Sequence, residues 1–136
     1  MEHLLADERL LSELDHVRLT TLVRRTPAAA GGPLDLLLDG AHTVMPREVP
    51  PDVVTMNSRV RVADVKTGVP SVLTLSYPDE ADAAAGHVSV LSPLGAALLG
   101  RRVGATVSWS APDGRGHGIV VSALEYQPEL AGDYTA

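Results

Sequence analysis

The sequence predicts an α+β protein in which a helical hairpin precedes a sheet carrying one short helix, and three stretches carry that expectation. From Leu4 to Arg25 (LLADERLLSELDHVRLTTLVRR) leucine and valine recur near helical spacing. Met45 to Asp52 (MPREVPPD) holds three prolines, and beyond it the apolar period falls from helical to alternating. His87 to Gly104 (HVSVLSPLGAALLGRRVG) then reads as strand, turn, helix and stop.

The first helix carries Leu10, Leu11, Leu14, Val17, Leu22 and, less regularly, Leu19 on its apolar side. Asp7 is its expected cap, and Arg24 and Arg25 suit its negative end. Thr26 to Pro33 (TPAAAGGP) breaks it. A second, shorter helix from Leu34 to about Thr43 turns Leu34, Leu37, Leu38 and Ala41 to one side, with Gly40 weakening it by about 1 kcal/mol relative to Ala. Neither helix can bury its leucines alone, so the two form a hairpin. The expected organisation is a hairpin over 1–45, a proline-rich linker over 46–52 and a second unit over 53–136.

In that unit Val53 to Val65 alternates, with Val60 and Val62 on one face and Arg59, Arg61 and Ala63 on the other. Val72 to Tyr77 is the next strand, and Asp79 to Gly86 (DEADAAAG) a loop with a helical turn. Val88, Val90 and Leu91 lead into Ser92 and Pro93, an N-cap followed by a first-turn proline. Leu94, Ala97 and Leu98 share a helix face, Gly100 supplies the left-handed stop, and Arg101 and Arg102 meet the helix's negative end at up to ~1 kcal/mol each. Val103 to Ser110 is a strand with the lone Trp109. Ala111 to Gly116 is a hairpin connection built on Asp113 and Gly114, and Gly118 to Tyr126 is the last strand.

Composition narrows the function. The chain has 136 residues, enough for one domain or a compact unit with a helical appendage, and 45% of them are hydrophobic. Only 3% are aromatic, so the core must be aliphatic and an aromatic platform for bases is disfavoured. With no cysteine, disulfides and thiolate chemistry are excluded. The net charge is -6, and both parts are acidic: nine acids to five bases over 1–52, eight to six over 53–136. That balance argues against sequence-specific nucleic-acid binding and for a protein or small-ligand partner. No leader pattern or long apolar run appears, so cytoplasmic residence and no membrane partner are expected.

No catalytic constellation emerges. His3, His16, His42, His87 and His117 form no HxH or HxxxH pair, which favours surface or structural roles over metal ligation. Asp79, Glu80 and Asp82 lie in a loop without a histidine or hydroxyl at a fixed offset. Phosphate-cradle and nucleophile-elbow motifs are missing. The expectation is a non-enzymatic protein with no cofactor and no metal.

Three segments go further: VVTMNSRVRVAD at Val53 to Asp64, SVLSPLGAALLGRRVG at Ser89 to Gly104, and LEYQPELAGDY at Leu124 to Tyr134. Together they resemble the regulator of nucleoside diphosphate kinase (Rnk) family, relatives of the bacterial Gre transcript-cleavage factors. The resemblance implies a short N-terminal antiparallel coiled coil, then an FKBP-like antiparallel sheet with a short helix. It also implies a monomer that binds core RNA polymerase near the secondary channel and competes there with Gre factors. By that resemblance Leu91, Ser92, Pro93 and Leu94 are the polymerase-docking candidates, although capping and core packing explain them as well. The hairpin tip is Pro27, Ala28, Ala29, Ala30, Gly31, Gly32 and Pro33. Gre tips use carboxylates to help hold a catalytic magnesium ion, whereas this tip has none and Asp35 follows it alone. Transcript cleavage is therefore not expected. Two alternatives stay open: a peptidyl-prolyl isomerase, for which the second unit offers only Trp109, Tyr77, Tyr126 and Tyr134 as pocket aromatics, and direct modulation of nucleoside diphosphate kinase.

Overall fold

A capped helix and a glycine decide how the chain begins. The computed structural model describes residues 8–111 and 113–132. His3, Leu4, Leu5, Asp7, Pro112 and Tyr134, named above, lie outside them. The first described helix, α1, spans Glu13–Arg24 and does not include Leu10 or Leu11. Ser12 is its N-cap: the hydroxyl accepts the Asp15 N–H at 3.0 Å, and Glu13 and Asp15 place acid in the first turn. Leu10–Ser12 instead forms a strand, β1.

After a 3-10 turn at Pro27–Ala29, α2 spans Pro33–Gly40 and stops at the glycine, short of Thr43. His42–Val44 follows as β2 and pairs in parallel with β1, Leu11 opposite Thr43. The two helices thus rise from a two-stranded base. His16 Nε2 and the Leu38 carbonyl, 2.9 Å apart, link α1 to α2.

The buried face of α1 differs from the expected one. Asp15, Leu19 and Val23 point inward, whereas Val17 is 62% exposed. A helix start at Glu13 and the tether through β1 set the rotation, so an i, i+4, i+8 row containing a carboxylate goes inside. On α2 the expected side holds: Leu34 and Leu38 are buried and Leu37 and Ala41 half-buried against the same core.

Proline does not leave Met45 to Asp52 loose. Pro46–Glu48 makes a 3-10 turn, and Val49 is buried with Leu10 and Val53. The Gln127 side-chain amide donates to the carbonyls of Pro50 and Val53 at 2.8 Å each, and Arg102 pairs with Asp52 at 3.1 Å.

Five further strands, β3 (Arg59–Asp64), β4 (Pro70–Ser76), β5 (His87–Ser89), β6 (Thr106–Ser110) and β7 (Gly116–Tyr126), form one sheet in the order β5-β4-β3-β7-β6. It is antiparallel apart from β4 and β5, which run parallel because Pro78 to Gly86 crosses back between them. That crossover contains two 3-10 turns. The alternation in β3 holds, with Val60 and Val62 buried and Arg59 and Arg61 exposed against Glu125 at 3.5 and 2.7 Å. Val53 to Met56, expected to begin that strand, is fully buried but turns instead. Val54 exchanges backbone hydrogen bonds with Gly100 and Arg101, and Asn57 has φ 65°.

The short helix α3 (Pro93–Leu98) packs on the sheet. One aliphatic core runs without a break from Leu19, Val23, Leu34 and Leu38 through Leu98 and Leu99 to Val60, Leu75 and Val121.

Candidate functional site

The turn from Leu91 to Leu94 is built by serines on both sides of a tight bend. The Ser89 carbonyl accepts the Ser92 N–H at 3.0 Å and the Ser92 hydroxyl at 2.6 Å, while the Ser89 hydroxyl accepts the Leu91 N–H at 3.1 Å. The Ser92 oxygen in turn accepts the Gly95 N–H at 3.1 Å, capping α3, and Pro93 occupies the first turn as expected. Val90, fully buried, donates its N–H to the Ser76 carbonyl at 2.9 Å and fixes the bend to β4.

Gly95 makes the bend possible. A Cβ there would stand 2.0 Å from the Ser89 carbonyl oxygen, a backbone atom that cannot swing away. Ala96, Ala97, Leu98 and Leu99 bury α3 behind the turn, so Leu91, Ser92, Pro93 and Leu94 remain half-exposed on a rigid support.

At the other end of α3, Gly100 has φ 77° and fulfils its left-handed role. The guanidinium on the last carbonyls is largely that of Arg9, which donates to Ala96 O at 2.7 Å and Leu99 O at 2.9 Å. Arg101 reaches Ala97 O at 3.4 Å, and Arg102 turns away to Asp52. Nothing in the sequence foretells this role of Arg9, because its partners lie 87 and 90 residues away. Gly95 did leave a trace, being a poor helix former inside an otherwise strong helical run.

The tip residues Pro27 to Pro33 are exposed except for the half-buried Ala29 and Gly32. Asp35 Oδ2 accepts the Gly31 N–H at 2.8 Å, so the acid that follows the tip braces the turn. Among the described residues no group of three His, Asp or Glu side chains could hold a metal ion.

The structure brings part of the tip to part of the turn. Pro33 and Pro93 line one cleft of about 310 Å³, shared with Arg9, Leu37 and β6 around Trp109. Leu94 lines another of about 280 Å³, with Val69, Leu73 and Ile119.

Where α1 meets the sheet lies a polar junction that sequence reasoning missed. Asp15, only 3% exposed, accepts the Met56 N–H at 3.2 Å. Burial, reinforced by the Glu129 carboxylate, raises its pKa to about 7 against the opposing pull of the Met56 N–H and Arg18. Glu129 accepts from the Thr55 hydroxyl at 2.7 Å. Burial beside Asp15 likewise pushes the Tyr77 hydroxyl up to about 12. The legible trace was Ser12-x-x-Asp15, a helix-start pattern that places Asp15 in the first turn.

Comparison with known proteins reads this architecture as a family. A model of the family described as "Transcription elongation factor, GreA/GreB, C-term" matches residues 49–126, which contain the whole five-stranded sheet, α3 and the turn from Leu91 to Leu94. This chain belongs to the GreA/GreB family. The family member is also 44% identical over 129 residues to the regulator of nucleoside diphosphate kinase of Escherichia coli (strain K12), covering 92% of this chain and 94% of that one. It is 40% identical to transcription elongation factor GreA of Solidesulfovibrio magneticus, over 59% of this chain and 49% of that one. Its structure superposes on a transcription elongation factor GreA/GreB from Nitrosomonas europaea with a TM-score of 0.73 at 34% identity, over 88% of this chain and 100% of that one. On the GreA factor homolog Gfh1 of Thermus thermophilus the TM-score is 0.50 at 22% identity, a likeness of fold alone. This GreA/GreB family member is a Gre-factor-like regulator with a mixed α+β fold. Among its described residues no helix is long and apolar enough to cross a membrane. The tip, Pro27 to Pro33, lies outside the part matched by the family model.

Proposed function

We propose that the protein binds core RNA polymerase near its secondary channel, competes there with Gre factors, and does not stimulate transcript cleavage. In this reading Leu91, Ser92, Pro93 and Leu94 dock on the polymerase, and α1 with α2 forms a short coiled-coil hairpin carried by an FKBP-like unit. The division into 1–45, 46–52 and 53–136 belongs to the same proposal.

The observation that carries it is the tip. A cleavage factor must deliver carboxylates to a metal ion, yet Pro27 to Pro33 has none, and Asp35 is committed to the Gly31 N–H. Reach argues the same way: the 12 residues of α1 rise only about 18 Å. A well-braced Ser-Pro turn with half-exposed leucines supports docking without chemistry. Neither of the Trp109 clefts includes Tyr77 or Tyr126, so the aromatic wall that a prolyl isomerase would need is not assembled around Trp109.

The test is competition with GreA for purified core polymerase, together with transcript cleavage by a backtracked elongation complex. Displacement of GreA with no cleavage is expected. Failure to be retained on polymerase ends the docking reading, and cleavage at a Gre-like rate ends the bare-tip reading.

A further inference from the structure

The sheet has two outer strands, and they are not equally protected. β5 has three residues, and on it His87 exchanges two backbone hydrogen bonds, 2.9 Å each, with Asp82 of the preceding turn. β6 is longer, Thr106–Ser110, and among the described residues pairs with β7 alone, Ser108 opposite Gly118 and Trp109 opposite His117. In such a ladder alternate N–H and C=O groups of the outer strand face away from the sheet. Outer strands are commonly blunted by lysine, proline or an inward charge. TVSWS has none of these.

Two clefts border β6. Toward α3 lies the cleft of about 310 Å³, walled by Leu37, Ala96, Ala97 and Trp109 with Arg9 at its border. The other, about 450 Å³, is bordered by Val65, Lys66, His117 and Gly118. Ser108, Trp109 and Ser110 line both clefts, so an extended chain laid along β6 would reach the two. The first suits an aliphatic side chain. The second suits an acid, since Lys66 and His117 are its only titratable lining groups.

Charge also chooses between occupants. Across both clefts the titratable lining among the described residues is Arg9, Lys66 and His117, with no carboxylate, in a chain of net charge -6. Asp64 and Asp113 of the flanking turns accept from the N–H groups of Lys66, Thr67 and Arg115. A second copy would bring the same net charge of -6 to this edge. We propose that β6 accepts, as a sixth strand, an extended segment of a partner protein that carries both aliphatic and acidic side chains. This site is argued apart from the polymerase reading and shares only Pro93 with the turn from Leu91 to Leu94.

The probe is a synthetic nonapeptide alternating Glu and Val, titrated into the whole protein. Trp109 is the chain's single tryptophan, so its fluorescence reports the cleft directly. Saturable binding is expected, with slowed amide exchange over Thr106 to Ser110 and affinity lowered roughly fivefold by Lys66→Glu, an exposed change. An alternating Lys and Val peptide should not bind, nor should the Glu and Val peptide N-methylated at alternate residues. No saturable signal, equal affinity for both charge patterns, or binding that survives N-methylation overturns the proposal. So does sedimentation as a dimer whose β6 amides are already protected.

Discussion

Replacing Gly95 by alanine tests whether the turn from Leu91 to Leu94 is held by a close backbone approach. Glycine to alanine inside a helix usually stabilises by up to about 1 kcal/mol. Here the new Cβ would lie 2.0 Å from the Ser89 carbonyl oxygen, 2.7 Å from its carbon and 3.0 Å from the Val90 Cα. Those atoms are held by the pairing of β5 with β4 and by the bond from Val90 to Ser76. The start of α3 must therefore shift, and the Ser92 cap goes with it. Overpacking costs about 1–3 kcal/mol and a lost cap about 1, so the net loss should be about 3 kcal/mol, or on the order of 10 °C in Tm. Gly40→Ala is the matched control, in a helix where a Cβ meets nothing within 4 Å. It should stabilise by up to about 1 kcal/mol. Urea and thermal unfolding of the two variants side by side decide the matter. If Gly95→Ala stabilised as much as Gly40→Ala, the close-approach reasoning would be refuted.

Three further outcomes follow from the geometry. Asp15 has a folded pKa near 7 against an ordinary 3.8, so the folded state holds its proton more tightly. Its stabilising contribution is complete below pH 3.8 and lost as pH rises through 7, by up to about 4 kcal/mol across that window. Asp15→Asn should flatten this part of the stability–pH profile and raise Tm at pH 8; a lower Tm at pH 8 with an unchanged slope would contradict the assignment. Arg9→Met removes the cation from the Ala96 and Leu99 carbonyls and should cost about 2 kcal/mol in chemical denaturation. A loss below about 0.5 kcal/mol would show that Arg101 can take over. Asp35→Ala should loosen the tip turn by releasing the Gly31 N–H, seen as faster exchange of that amide with little change in Tm; unaltered exchange would count against the bracing role.

Much of the candidate site was legible because its signals are local. Ser92 and Pro93 mark a helix start, Gly100 a left-handed stop, and Asp113 with Gly114 a turn, each through its own backbone chemistry. The bare tip could be read from residue types alone. Leu4 to Arg25 misled because apolar spacing does not show where a helix begins: Leu10 and Leu11 fit its period yet lie in β1. The Ser12 cap was present in the sequence, but only the pairing of β1 with β2 gave those leucines a reason to leave the helix.

The amino-acid sequence by itself determined an aliphatic core, a switch from helical to alternating period after the prolines, a capped Ser92-Pro93 turn and a Pro27 to Pro33 turn without carboxylates. All depend on neighbours a few residues apart. Only the tertiary structure decided which face of α1 is buried, that Asp15 goes inside beside Glu129, that Arg9 rather than Arg102 serves the end of α3, and that β6 is an outer strand of the described sheet. Each of these depends on groups far apart in the chain, whose meeting is set by the shared core and not by local preference.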